Sequence, residues 1–175
     1  MRAPSIFLLL IAALSAPARA EVVHAAADGF TISNSRLVPV PPDRAYAALV
    51  EDVGRWWPAA HTWWGDASKL RIDARAGGCF CELDGPRQAW HMQVALVDPE
   101  RLLRMIGGLG PLQGMGLSGA LEWRFAAEGE GTRITLQYVV GGYSASDLSG
   151  FAKVVDAVQA EQLGGLASFL ERPRP

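Results

Sequence analysis

Residues 69–142 hold the pattern that most restricts this chain: apolar and polar side chains alternate in short runs separated by turn residues. Period-two alternation is the mark of strands with one buried face. We read strands at 69–76, Cys79–Asp84, 87–97, 101–107, 118–126 and 132–140. Asp84-Gly85-Pro86-Arg87 closes the first hairpin, Asp98-Pro99-Glu100 makes the next turn, and Glu128-Gly129-Glu130-Gly131 closes the last hairpin. In that last pair Leu121, Trp123 and Phe125 stand against Ile134, Leu136, Tyr138 and Val140 as one apolar face. A sheet with one oily face must be covered.

The flanking segments supply the cover. An alternating strand is expected at 29–40, stopped by Pro41 and Pro42. A helix follows in which Ala45, Tyr46, Leu49, Val50 and Val53 recur at helical spacing, with Asp43 favourable in its first turn and Gly54 near its end. The chain closes with a long helix over 147–170, striped by Phe151, Val154, Val155, Val158, Leu166, Phe169 and Leu170. Gly164-Gly165 interrupts it at about 1 kcal/mol per glycine relative to alanine, which implies close approach or open room there. The order strand, helix, antiparallel strands, long helix predicts an α+β domain with a curved sheet gripping the terminal helix.

Four tryptophans crowd the stretch after the first helix: Trp56, Trp57, Trp63 and Trp64. Such bulk either fills a core or contacts an apolar guest. With Trp90, Met92, Met105, Leu112, Met115, Trp123, Tyr138 and Tyr143, they form the expected ligand-lining set; the methionines offer adaptable walls.

The first twenty residues read as a signal peptide: Arg2, an apolar run at 5–16, then Ala18-Arg19-Ala20 with cleavage after Ala20. The run is too short to span a bilayer, and no other stretch is long enough. The mature protein is therefore expected in the periplasm or outside the cell. Cleavage leaves 155 of the 175 residues, one domain at 29–172 behind a flexible leader at 21–28. It also takes Arg2 and Arg19 from the 16 basic residues, leaving 14 against 18 acidic, a charge of −4. That balance argues against nucleic acid as a partner. Oligomeric state is not legible.

Cys79 and Cys81 are the only cysteines. On a regular strand their Cα atoms lie about 6.6–7 Å apart, at or beyond the reach of a disulfide, so two small buried hydrophobes are expected, with a redox-active bridge the alternative. The hairpin register pairs Cys81 with Trp90 and Cys79 with Met92. It puts Cys79, Cys81, Leu83, Trp90, Met92, Val94 and Leu96 on the apolar face and Glu82, Ala89, His91 and Gln93 on the polar one. A metal held by Cys79, Cys81 and His91 is thereby disfavoured. Glu82 and His91 then form an ordinary solvent-facing pair, or an acid–base pair if the sheet is inverted. His61, within the Trp-rich stretch, is the third weak catalytic candidate, with capping of a pocket mouth as its simpler role. No nucleophile elbow, dinucleotide loop or phosphate cradle is present, and no cofactor is expected.

Several segments together carry a family resemblance: VPVPPDRAYAAL with the WW after it, Gly77-Gly78-Cys79-Phe80-Cys81-Glu82, Val97-Asp98-Pro99-Glu100-Arg101-Leu102, Gly110-Pro111-Leu112-Gln113 and AVQAEQLGGLASFLE. The chain resembles the SRPBCC or START-like superfamily of helix-grip proteins. More narrowly it is similar to bacterial members of the polyketide-cyclase and heat-shock-protein-ATPase-activator branch, over about residues 30–171. An export signal departs from the mostly cytoplasmic pattern of that branch. The resemblance implies a site for a small hydrophobic or aromatic molecule between the long helix and the sheet. Three roles follow as expectations: binding without covalent chemistry, cyclase, dehydratase or hydrolase chemistry in the same cavity, or a periplasmic protein-interaction module.

Overall fold

The computed structural model describes residues 19–172; the expected signal peptide lies outside them up to Ala18. Eight strands form one antiparallel sheet: β1 (Arg19–Ala26), β2 (Gly29–Val38), β3 (Leu70–Ile72), β4 (Cys79–Asp84), β5 (Arg87–Asp98), β6 (Leu102–Gly107), β7 (Ser118–Glu128) and β8 (Gly131–Gly141). Their spatial order is β1-β2-β8-β7-β6-β5-β4-β3. Helices α1 (Pro42–Glu51), α2 (Val53–Trp56), α3 (Pro111–Gly114) and α4 (Ala152–Glu171) complete it. The sheet curves around α4, which makes the fold α+β and of the helix-grip kind.

The last hairpin follows its apolar alternation. Leu121, Trp123 and Phe125 of β7 and Ile134, Leu136, Tyr138 and Val140 of β8 are all buried. Trp56 packs edge-on to Trp123 at 5.9 Å and donates its indole N–H to the Ala48 carbonyl at 2.9 Å. Hydrocarbon burial and a satisfied polar handle thus lock α1 and α2 onto the sheet.

Three expectations need correction. The segment 21–26 is no loose leader: it belongs to β1, pairing along β2 from Glu21↔Ser33 to Ala26↔Gly29. Leaving the β2 edge open would have exposed a row of backbone donors and acceptors. Second, α4 starts at Ala152 rather than 147. Asp147 instead accepts a hydrogen bond from the Ser149 N–H at 2.8 Å, a local turn that competes with helix. Third, Cys79 and Cys81 are joined by a disulfide, with Cα atoms 5.5 Å apart. Across Phe80 the strand is thus shorter than the regular i to i+2 spacing, which brings the two sulfurs within bonding reach.

A register irregularity between Phe80 and Cys81 inverts the first hairpin. Cys81 does pair with Trp90, but Cys79 pairs with Gln93 and Phe80 with Met92, leaving His91 as an extra residue on β5. A bulge of this kind breaks the period of two. Trp90, 46% exposed, and Leu83 face outward, whereas Phe80, Glu82, His91, Met92 and Val94 are buried. The expected solvent-facing pair is an interior one.

Among the described helices none is long and apolar enough to cross a membrane.

Candidate functional site

Beneath the first half of α4 lies a cavity of about 320 Å³. Four pieces of chain wall it. The Trp-rich segment brings Trp57, Ala60, His61, Thr62 and Trp63, and the first hairpin brings Phe80 and His91. The Gly-rich loop and α3 supply Leu109, Gly110, Pro111 and Leu112, and α4 with the residue before it supplies Phe151, Val154, Val155, Val158, Gln159 and Gln162. The walls are mostly hydrocarbon and aromatic, with a few polar groups, which is the make-up of a small-molecule site.

Two internal anchors hold it open. Glu82 is fully buried and accepts the Trp63 N–H at 2.9 Å and the Trp64 N–H at 3.2 Å. Its Oε2 also lies 3.3 Å from His91 Nε2. The carboxylate thus fastens the Trp-rich segment to the sheet and orients the imidazole against Phe80, ring centres 5.0 Å apart. The second anchor is Tyr138. Its hydroxyl donates to the Gly107 carbonyl at 2.8 Å and accepts from the Leu109 N–H at 3.0 Å, so β8 positions the Gly-rich loop. Burial pushes that phenol up to about 12, against the opposing effect of the Leu109 bond.

Burial also holds the His91 imidazole below its ordinary value, opposed by the charge and hydrogen bond of Glu82. His91 is 5% exposed and favours its neutral form. At the rim, His61 Nε2 lies 3.3 Å from Glu161 Oε2 of α4. Its Nδ1 is buried without a partner among the described residues, as are Oε1 of Gln159 and of Gln162.

The expected lining set divides. Trp57, Trp63 and Leu112 border the cavity, joined by His61 and His91. Trp56, Met92, Met105, Trp123 and Tyr138 sit in the filled core instead. Trp64 and Trp90 border a separate open groove outside the hairpin, with Trp63 shared between the two. Met115 and Tyr143 point to solvent, Tyr143 at 88% exposure. Sequence reasoning passed over Phe80, Gln159 and Gln162. The helical stripe omitted both glutamines because they are polar; their spacing with Val155 and Val158 on one helix face was the available signal. Among the described residues no three His, Cys, Asp or Glu side chains are placed to hold a metal ion.

A curved sheet closed by one long helix, with an apolar void between them, makes this a helix-grip domain. The chain belongs to the family described as Polyketide cyclase / dehydrase and lipid transport, whose model matches residues 29–171. The SRPBCC resemblance is thereby borne out, and the class is that of hydrophobic-ligand-binding or cyclase-like domains. Among curated proteins none matches the sequence. Solved structures share the fold. CalU16 from Micromonospora echinospora is 18% identical over 89% of this chain and 87% of that one, with a TM-score of 0.58. The Mll3558 protein from Rhizobium loti is 21% identical over 83% of this chain and 99% of that one, TM-score 0.59. The Aha1 dimer from Colwellia psychrerythraea is 15% identical over 83% of this chain and 98% of that one, TM-score 0.57.

Proposed function

We propose that this domain binds a small, mainly apolar molecule in the cavity under α4, after export and cleavage behind Ala20. The observation that carries the reading is the void itself: about 320 Å³ walled by Trp57, Phe80, Phe151, Val155 and Val158 in an otherwise close-packed protein. Its size falls at the lower end for small-molecule sites. The Cys79–Cys81 bridge supports an oxidising compartment, where disulfides persist.

The test uses N-phenyl-1-naphthylamine, an uncharged fluorescent probe. Binding should brighten the probe and quench tryptophan emission through Trp57 and Trp63. Val158→Trp fills the void and should weaken binding at least tenfold while the fold melts normally. Equal binding by this variant would place the probe elsewhere and defeat the reading.

One observation favours a second reading, acid–base chemistry in the same cavity. His91 borders the void and has its Nε2 side held by a buried carboxylate, the arrangement that fixes a tautomer and leaves Nδ1 as a base. Turnover of a host metabolite lost in His91→Gln, with binding kept, would establish the enzyme; unchanged turnover would remove His91 from the chemistry.

A further inference from the structure

The cavity and the open groove are walled by the same three pieces of chain. Trp63 borders both, with Thr62 before it on the cavity and Trp64 after it on the groove. In α3, Leu112 lines the cavity and Gln113 the groove. On β5, His91 lines the cavity, while Gln88, Ala89 and Trp90 line the groove. The groove is thus the outward continuation of the void. Its surface is accessible: Trp63 is 50% exposed, Trp90 46%, and both glutamines are exposed. Three indoles gathered at one open place mark a binding surface rather than scattered apolar residues. The cavity alone is small for a ligand site, and a guest that outgrows it is led onto this groove.

The groove differs from the cavity in its chemistry. None of its lining residues is ionisable. The Arg87 guanidinium lies 5.3 Å from the centre of the Trp64 ring and is paired with Asp84. A cation therefore already sits on that indole, and a second would meet it as a like charge. An anion would find the guanidinium already partnered. The two amides are held in place: Gln88 Nε2 donates to the Gly85 carbonyl at 3.3 Å and Gln113 Nε2 to the Trp90 carbonyl at 2.8 Å. Each amide keeps a second N–H and its own oxygen, one donor and one acceptor. A hydroxyl group also donates and accepts. A saturated ring bearing hydroxyls thus matches both features, its C–H faces covering indole and its O–H rim meeting the amides. We propose that the groove takes a neutral polyhydroxylated ring, of the sugar type, carried by a guest whose apolar end fills the cavity. This rests on the binding role proposed above and gives its guest as an amphipathic, glycoside-like molecule.

Four ethers of one naphthalene frame test it, competed against N-phenyl-1-naphthylamine on the mature protein. They are 2-methoxynaphthalene, 2-naphthyl β-D-glucopyranoside, 2-(cyclohexylmethoxy)naphthalene and 2-(2-trimethylammonioethoxy)naphthalene. The glucoside should bind about fivefold to tenfold more tightly than the methoxy compound, the worth of one or two hydrogen bonds. The ammonium ether should gain less than the glucoside. Trp90→Ala should erase the glucoside's advantage and leave methoxynaphthalene binding as it was. Gln88→Ala, at an exposed position, should weaken the glucoside about threefold or more and leave the cyclohexyl ether unchanged; it serves as the test even where the tryptophan variant does not fold. Val158→Trp should weaken glucoside and methoxy compound together. A glucoside no tighter than the methoxy compound, an ammonium ether tighter than the glucoside, equal losses for glucoside and cyclohexyl ether in Gln88→Ala, or glucoside binding retained in Val158→Trp would each overturn the inference. In all of these the methoxy compound still binds the unaltered protein and the binding role stands. Failure of every probe to bind would overturn both.

Discussion

Glu82 carries more of the site than any other side chain. It has no solvent access, and three donors converge on it: the Trp63 and Trp64 N–H groups and His91. Glu82→Gln replaces one acceptor oxygen by an NH₂ that faces donors. Loss of bonds to a buried charged group costs about 2 kcal/mol or more. Chemical denaturation should show that loss, with faster amide exchange at Trp63 and Trp64; an unchanged midpoint would mean the carboxylate holds nothing. His91 gives a pH signature. Its folded value lies below its unfolded one, so the unfolded chain binds more protons through the window below the ordinary histidine value of about 6.5. Its contribution is therefore complete above that value and lost as pH falls toward the depressed folded value. The slope has a ceiling of about 1.4 kcal/mol per pH unit for one group. His91→Gln should flatten the stability profile between pH 7 and 5, as read by thermal melts in a pH series.

At the scale of elements, the seating of α4 is set by Gly165. A Cβ there would stand 2.5 Å from the Trp56 carbonyl oxygen, whereas one at Gly164 meets nothing within 4 Å. The paired glycines thus have different reasons to be glycine, although both carry the same helix penalty. Gly164→Ala should stabilise by up to about 1 kcal/mol. Gly165→Ala should destabilise by about 1–3 kcal/mol as the helix lifts from α2, the usual range for overpacking. Thermal melts of the two variants check this, and similar shifts in both would show that the close approach does not matter. The second tie on α4 is Asn34 of β2, whose amide donates to Asp156 at 2.9 Å. It ties the helix to β2, the second strand from one edge of the sheet.

For the molecule as a whole, β1 raises the question of where the mature chain begins. Cleavage after Ala20 leaves the pairs from Glu21↔Ser33 onward intact and removes only the pairs of Arg19 and Ala20. Mass spectrometry of protein recovered from the periplasm should give an N-terminus at Glu21; a mass that includes residues 1–20 would refute export with cleavage.

The alternation in β7 and β8 and the apolar stripes of α1 and α4 determined the elements and the α+β class from sequence alone. Each depends on local periodicity, and a buried face imposes periodicity directly on the residue order. The cavity does not follow from such a rule. One extra residue at His91 turns Trp90 outward and brings Glu82 and His91 into the interior, and no apolar count records an insertion into a ladder. Gln159 and Gln162 fall outside the apolar stripe of α4, yet both are buried beside the void. Trp56 and Trp57 are neighbours in sequence, yet one fills the core and the other walls the void. Which side chains surround empty space depends on how curved layers meet, and only the tertiary structure decides that.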